Sequence, residues 1–260
     1  MGRGERESQC INAIYEFIGS SKFDKHCFGM NASDVDIFVK AINEAKNIVD
    51  KNVEDNSKFP DFRLKNGFIE HFQVSATKEK KGSEYKQFEK EFNKQIQDSE
   101  TEEFVTTMMP QPASTYSLFE SFLIRKWVHH IESRDKYDGN KDVGIFVIDF
   151  DEFSLQMFES KYDSDVIGLR MGDYSEAEYI KGYRLSRDKH LLSYMYNFVD
   201  KISYVCFLSK VQGNLNCDII SVRRIPILSN YLNNYEIMSC DYTGQYYSKH
   251  CIMKRHQNNC

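Results

Sequence analysis

Asp61 and Glu70 are the residues of this 260-residue chain whose types and spacing first suggest chemistry. They flank an Asn66-Gly67 turn in PDFRLKNGFIEHFQVSATKEKK, residues 60–81. The runs on either side, 60–64 and 68–76, have strand-like patterning, so a hairpin brings the two carboxylates together across its ladder. Carboxylates on adjacent strands are hard oxygen ligands of the kind that hold Mg²⁺ or Mn²⁺. A divalent ion there polarises a phosphate, lowers the pKa of a bound water and neutralises a leaving oxygen, which is the chemistry of phosphodiester hydrolysis. Gln73 or Lys78 would orient the attacking water. Lys78, Lys80 and Lys81 gather positive charge beside the pair. Gly82-Ser83 could then offer backbone amides to a phosphate at a helix start. The plainer reading of these residues is an ordinary hairpin in which Glu70 pairs with a lysine.

Other clusters carry different chemistry. Asp149 and Asp151 share a strand face at the end of VGIFVIDFDE. Acids there either face a ligand crevice or cap the next turn, and this pair would suit a metal phosphohydrolase. Arg184, Arg187, Lys189 and His190 crowd one helix start, and Arg184 and Arg187 are candidate contacts to a nucleic-acid backbone. Cys240, His250, Cys251, His256 and Cys260 include soft zinc ligands. Their spacing matches no zinc module, so the tail reads as a polar terminus with reduced thiols. His129 and His130 adjoin on a helix, where neighbouring side chains diverge, so they do not chelate one ion together. No P-loop, Gly-x-Gly-x-x-Gly, Gly-x-Ser-x-Gly or His-Glu-x-x-His occurs, which leaves nucleotide-fuelled, lipase-like and zincin chemistry without a motif.

These residues need elements to position them. Apolar spacing predicts helices over 8–19 and from Ser33 or Asp34 to 49, the second capped by one of those two residues. After the hairpin, helices are expected over 82–97 and 114–134, with a connection over 98–113. VGIFVIDF, 143–150, is apolar throughout and reads as a strand buried on both faces. The acidic stretch 163–181 reads as surface. A helix over 184–201, strands over 202–209 and 217–222, and a short helix within 225–237 complete the pattern. The fold class is α/β (or α+β), with a mixed central sheet flanked by helices. Residues 1–110 carry the first helices and the acid-bearing hairpin, and 111–260 complete the sheet within one compact unit.

Pro60-Asp61, then Glu70 on the next strand, with a helix before and helices and a strand after, resembles the PD-(D/E)XK nuclease superfamily over about residues 33–150. The resemblance implies a restriction-endonuclease-like core, Asp61 and Glu70 as metal ligands, and Mg (or Mn) as cofactor. It departs at the lysine position, which is Phe72. Some members place Gln where lysine usually stands; here a bulge between Glu70 and Gln73 would turn Gln73 onto the acid face. Lys78 or Lys80 are the other candidates for the missing cation.

Composition sets the outer limits. The hydrophobic share is 41% with 14% aromatic, enough for a sizeable core built around rings. A net charge of −5 does not suit a non-specific nucleic-acid coat protein, but it permits an enzyme with a locally basic cleft. No stretch approaches the apolar length of a membrane span, and the polar start lacks a signal segment. Seven cysteines without Cys-x-x-Cys read as reduced thiols in a cytoplasmic protein. The expected function is a metal-dependent DNA endonuclease, with DNA as partner and a homodimer as a further expectation. A non-catalytic protein-interaction module on a nuclease-like scaffold is the alternative, and the Asp149/Asp151 phosphohydrolase a second.

Overall fold

A computed structural model describes residues 4–51, 59–76, 104–110, 115–150, 155–159, 179–180, 183–211, 214–230, 232, 235–239 and 246–252. In chain order its strands are β1 (Cys27–Phe28), β2 (Phe62–Leu64), β3 (Gly67–Gln73), β4 (Phe104–Pro110), β5 (Val143–Phe150), β6 (Leu155–Glu159), β7 (Tyr179–Ile180), β8 (Tyr204–Val211), β9 (Asn214–Ser221), β10 (Tyr235–Ser239) and β11 (Tyr246–Ile252). The helices are α1 (Glu5–Ile18), α2 (Ala32–Asp50), α3 (Tyr116–Lys136), α4 (Lys189–Tyr196) and α5 (Ile225–Asn230).

The main sheet has six strands in the order β1-β9-β8-β5-β3-β2. β3, β5 and β8 run parallel at its centre, while β2 and β9 are antiparallel to their neighbours β3 and β8. Helices cover both faces. Ile69 of β3 and Ile145 and Val147 of β5 bury against α1 and α2, through Ile14, Phe38, Ile42 and Ala45 among others. Phe68 and Phe72 of β3 and Phe146, Ile148 and Phe150 of β5 turn the other way, towards Phe119, Leu123 and Trp127 of α3 and Leu192 of α4. The continuous apolar run of β5 is therefore the signature of a strand buried twice, with alternate residues serving opposite cores. The chain has the α/β class read from the sequence.

Local chemistry explains the boundaries. Asn31 caps α2: its side chain accepts from the Asp34 N–H, and the Asp34 carboxylate reaches back to the Asn31 N–H at 3.1 Å. The cap thus lies ahead of Ser33 and Asp34, because the reciprocal pair satisfies two end donors at once. Thr115 caps α3 by accepting from the Leu118 N–H, and its own N–H is tied to the Ala76 carbonyl at 3.1 Å. The Asn66-Gly67 turn sits where β5 begins. A Cβ on Gly67 would lie 1.9 Å from the Val143 carbonyl oxygen, so only glycine permits that approach.

Three expectations change. The connection expected over 98–113 contains β4, which pairs antiparallel with β11, so part of the tail read as a loose terminus is a strand. The helix expected over 184–201 is interrupted: Leu185–Arg187 is a 3-10 turn, and Asp188 then caps α4 by accepting from the Leu191 N–H. The capping aspartate follows its own turn and restarts the helix, an effect of local polar bonding that apolar periodicity does not register. β6, β7 and β10 form a three-stranded sheet of their own. The expected helix 82–97, together with Lys78, Lys80, Lys81 and Asp151, lies outside the described residues. Among the described residues no helix is long and apolar enough to cross a membrane.

Candidate functional site

The hairpin brings Asp61 and Glu70 together at the edge of the sheet. Regular β2–β3 pairing ends at Phe62 opposite Ile69, so the next rung falls to these acids. The Asp61 N–H donates to Glu70 Oε2 at 3.0 Å, and the His71 N–H donates to Asp61 Oδ2 at 2.7 Å. Each side chain thus takes over a ladder bond, and the exchange holds the two carboxylates side by side. The remaining Glu70 oxygen, Oε1, is joined to His130 Nδ1 by a 2.7 Å hydrogen bond. His130 reaches in from α3 and lies flat on Phe72, ring centroids 4.6 Å apart.

The electrostatics of the pair are only partly compensated. Burial, then the charge of Glu70, pushes the Asp61 carboxyl up to about 7, against the His71 N–H that favours its ionised form. Burial likewise pushes Glu70 up to about 8, opposed by the Asp61 N–H and His71, with Glu7 adding a further negative charge. Burial, then the nearby Lys126 charge, takes His130 down to about 4, so at neutral pH it is an uncharged partner. Among the described residues neither acid has a lysine or arginine as ion-pair partner. The lysine pairing of the plainer hairpin reading is replaced by His130.

The lysine position of the resemblance is closed. Phe72 is 3% exposed and packs on Phe146 as well as His130. No bulge rotates Gln73: the β3–β5 register is unbroken from Gly67 to Gln73, which sits opposite Asp149. Gln73 is therefore exposed on the face opposite that of Glu70, and the expectation that it joins the acids from that face is corrected. Continuous parallel pairing to β5 leaves no room for the extra residue a bulge needs.

On the α1 side of the same strands lies a second polar cluster. His71 alternates with Glu70 and so faces this side, as does Asp149 of β5. Arg6 of α1 donates from Nε to Asp149 Oδ2 at 2.6 Å. Burial pushes the Asp149 carboxyl up, but neighbouring His71 and Arg6 outweigh it and hold the group below its usual range. Donor atoms of Cys10, His71 and Asp149 all lie within 4.8 Å of one another.

Arg184, expected at a nucleic-acid surface, is committed inside the protein. Its Nε donates to Asp218 Oδ1 at 2.8 Å, and its terminal nitrogen contacts both that oxygen and His26 Nδ1. The Ser186 N–H donates to the other Asp218 oxygen at 3.1 Å. Arg187 lies over the Phe28 ring, 5.8 Å from its centroid. Neither arginine is brought near Asp61 or Glu70 by any of these contacts.

Sequence reasoning missed His130, His71, Arg6 and Cys10. For His130 a signal existed: it is the third residue after Trp127 and borders the buried stripe of Phe119, Leu123, Trp127 and Ile131. A polar residue at the edge of a buried stripe needs a partner inside. For Arg6 and Cys10 nothing in the sequence linked α1 to β5. No protein-family model, no curated protein and no solved structure matches this chain.

Proposed function

We propose that the chain is a divalent-metal-dependent nuclease acting on DNA phosphodiester bonds, with Asp61 and Glu70 as the metal ligands. The observation that carries this reading is the pair itself: two adjoining, largely buried carboxylates that each titrate near neutrality and lack a described lysine or arginine partner. Adjacent acids of this kind call for a proton or a cation between them, and perturbed acids are concentrated at functional sites. Mg²⁺ or Mn²⁺ suits the all-oxygen donor set, and when bound it supplies Lewis acidity to a phosphate and a more acidic water. The protein's own contribution is positional. The N–H groups of Asp61 and His71 hold both carboxylates, and His130 fixes the orientation of Glu70 from the core side. The proton shared along Glu70 and His130 is the one the carboxylate must give up when it takes a cation. Lys78, Lys80 and Lys81, a few residues beyond β3, are the proposed contacts to the DNA backbone.

The test is cleavage of plasmid, single-stranded DNA and RNA with Mg²⁺, Mn²⁺ or chelator. DNA cleavage that needs the metal and is lost in Asp61→Asn and in Glu70→Gln supports the reading. Wild-type protein inert with Mn²⁺, or variants that cut as well as wild type, overturns it. The specific feature favouring the alternative, a non-catalytic interaction module, is Phe72, which fills the usual lysine position and seals it with His130. Inert wild-type protein would bring that alternative forward.

A further inference from the structure

We propose a second ion site on the opposite side of β3, in which Cys10 Sγ, His71 Nε2 and a carboxylate oxygen of Asp149 hold a transition-metal ion of the zinc class. It is independent of the nuclease reading and uses none of that reading's ligands.

The three donors come from α1, β3 and β5, elements far apart in sequence that pack into one core, and they lie within 4.8 Å of one another. The His71 side chain is only 7% exposed, yet its Nε2 has no hydrogen-bond partner. Asp149 Oδ2 is 3.8 Å away, beyond hydrogen-bond reach. A buried ring nitrogen left so is unfavourable unless something binds it. Asp149 has a counter-charge of its own in Arg6, at 2.6 Å.

The donor set selects the ion. One thiolate, one imidazole and one carboxylate form a mixed set that suits Zn²⁺ and its neighbours, whereas Mg²⁺ prefers oxygen alone. Tetrahedral bonds of about 2.0–2.3 Å separate donors by about 3.3–3.8 Å, so the observed spacing needs only a slight contraction. The His71–Asp149 separation of 3.8 Å already has that length. Arg6 is compatible with an ion: one carboxylate oxygen lone pair accepts its N–H, others remain, and such an outer partner orients a ligand. Binding takes the proton from the Cys10 thiol to solvent. The thiolate and Asp149 then balance the ion's two charges. Three protein donors leave a fourth position for water. Because the N–H of His71 also holds Asp61, the ion would brace the residue that positions the acid pair.

Cobalt is the probe. The full chain, stripped with chelator and reloaded with Co²⁺, should take up one tightly held ion per chain and show a thiolate-to-cobalt charge-transfer band in the near ultraviolet. The band should vanish in Cys10→Ser, and Co²⁺ affinity should fall at least about tenfold in His71→Gln. Both should persist in Cys251→Ser, which excludes the cysteine- and histidine-bearing tail, and in Asp61→Asn, which separates this site from the acid pair. Zn²⁺ should raise the melting temperature of wild type and not of Cys10→Ser. If Cys10→Ser does not fold, His71→Gln carries the test. Absence of the band in wild type, or its persistence in both Cys10→Ser and His71→Gln, overturns the proposal and leaves an ordered water as the occupant.

Discussion

Two of the places where the described residues bury carboxylates are treated in opposite ways. Asp218, 1% exposed, accepts hydrogen bonds from Arg184 and the Ser186 N–H, with His26 alongside. Burial alone would raise it, but the Arg184 charge and then those hydrogen bonds prevail and hold it at about 2. At Asp61 and Glu70 no described lysine or arginine answers burial, the Glu70 charge raises Asp61, Glu7 raises both, and both titrate near neutrality. The first arrangement is finished structure: charge, counter-charge and hydrogen bonds close on themselves. The second is incomplete without a proton or an ion. The difference teaches where to look for function, since perturbed acids without a counter-charge are concentrated at functional sites.

The largest expected effect tests the incomplete side. Asp61→Asn or Glu70→Gln should reduce metal-dependent DNA cleavage to background, because each keeps side-chain volume while removing a charged ligand. Next, Asp218→Asn should destabilise the fold by about 3–5 kcal/mol in a denaturant titration, since it leaves Arg184 buried without its counter-charge. Cleavage per folded molecule should be unchanged, and a loss of activity without loss of stability would break the contrast.

The pH dependence should have opposite signs at the two places. Asp61 and Glu70 have folded pKa values above their unfolded ones, so the folded state binds more protons between about pH 4 and 8. Metal-free protein should lose stability as pH rises through that window, with Glu7, His71 and His130 as the neighbouring titratable or charged groups. The slope should shrink in Glu70→Gln and on adding Mn²⁺. Asp218 is depressed, so its contribution is complete above about pH 4 and is lost as pH falls towards 2. Thermal melts across pH in chelator, comparing wild type with each variant, read both slopes. His130→Gln, which keeps a polar group beside Glu70 but alters its orientation, should lower cleavage about 10–100-fold without abolishing it. As a control, Lys46→Ala, which removes the surface pair with Asp50 on α2, should change stability by no more than about 0.5 kcal/mol.

Much of the frame was legible in the chain. β5 was readable because a strand buried on both faces must be apolar throughout, and the hairpin because Asn66-Gly67 has few other uses. α3 followed from apolar residues at helical spacing. The break before α4 was not, because Asp188 ends the 3-10 turn by polar bonds that no periodicity marks. β4 and β11 were missed because their strand character rests on each other, across more than half the sequence. Nothing local in Thr-Thr-Met-Met-Pro or in the tail declares such a partner.

By itself the sequence determined that Asp61 and Glu70 could meet, because a two-stranded hairpin fixes which residues face across its turn. It also fixed the α/β class, since hydrophobic period depends only on neighbours along the chain. Only the tertiary structure decided what surrounds the pair. His130 arrives from α3, Phe72 closes the lysine position, and Gln73 turns away because parallel pairing with β5 holds the strand regular. It alone also brought Cys10 of α1 to His71 and Asp149. The physical reason is range: periodicity and turn chemistry act within a few residues, whereas proton affinity and ion binding depend on whichever groups packing brings within a few ångströms.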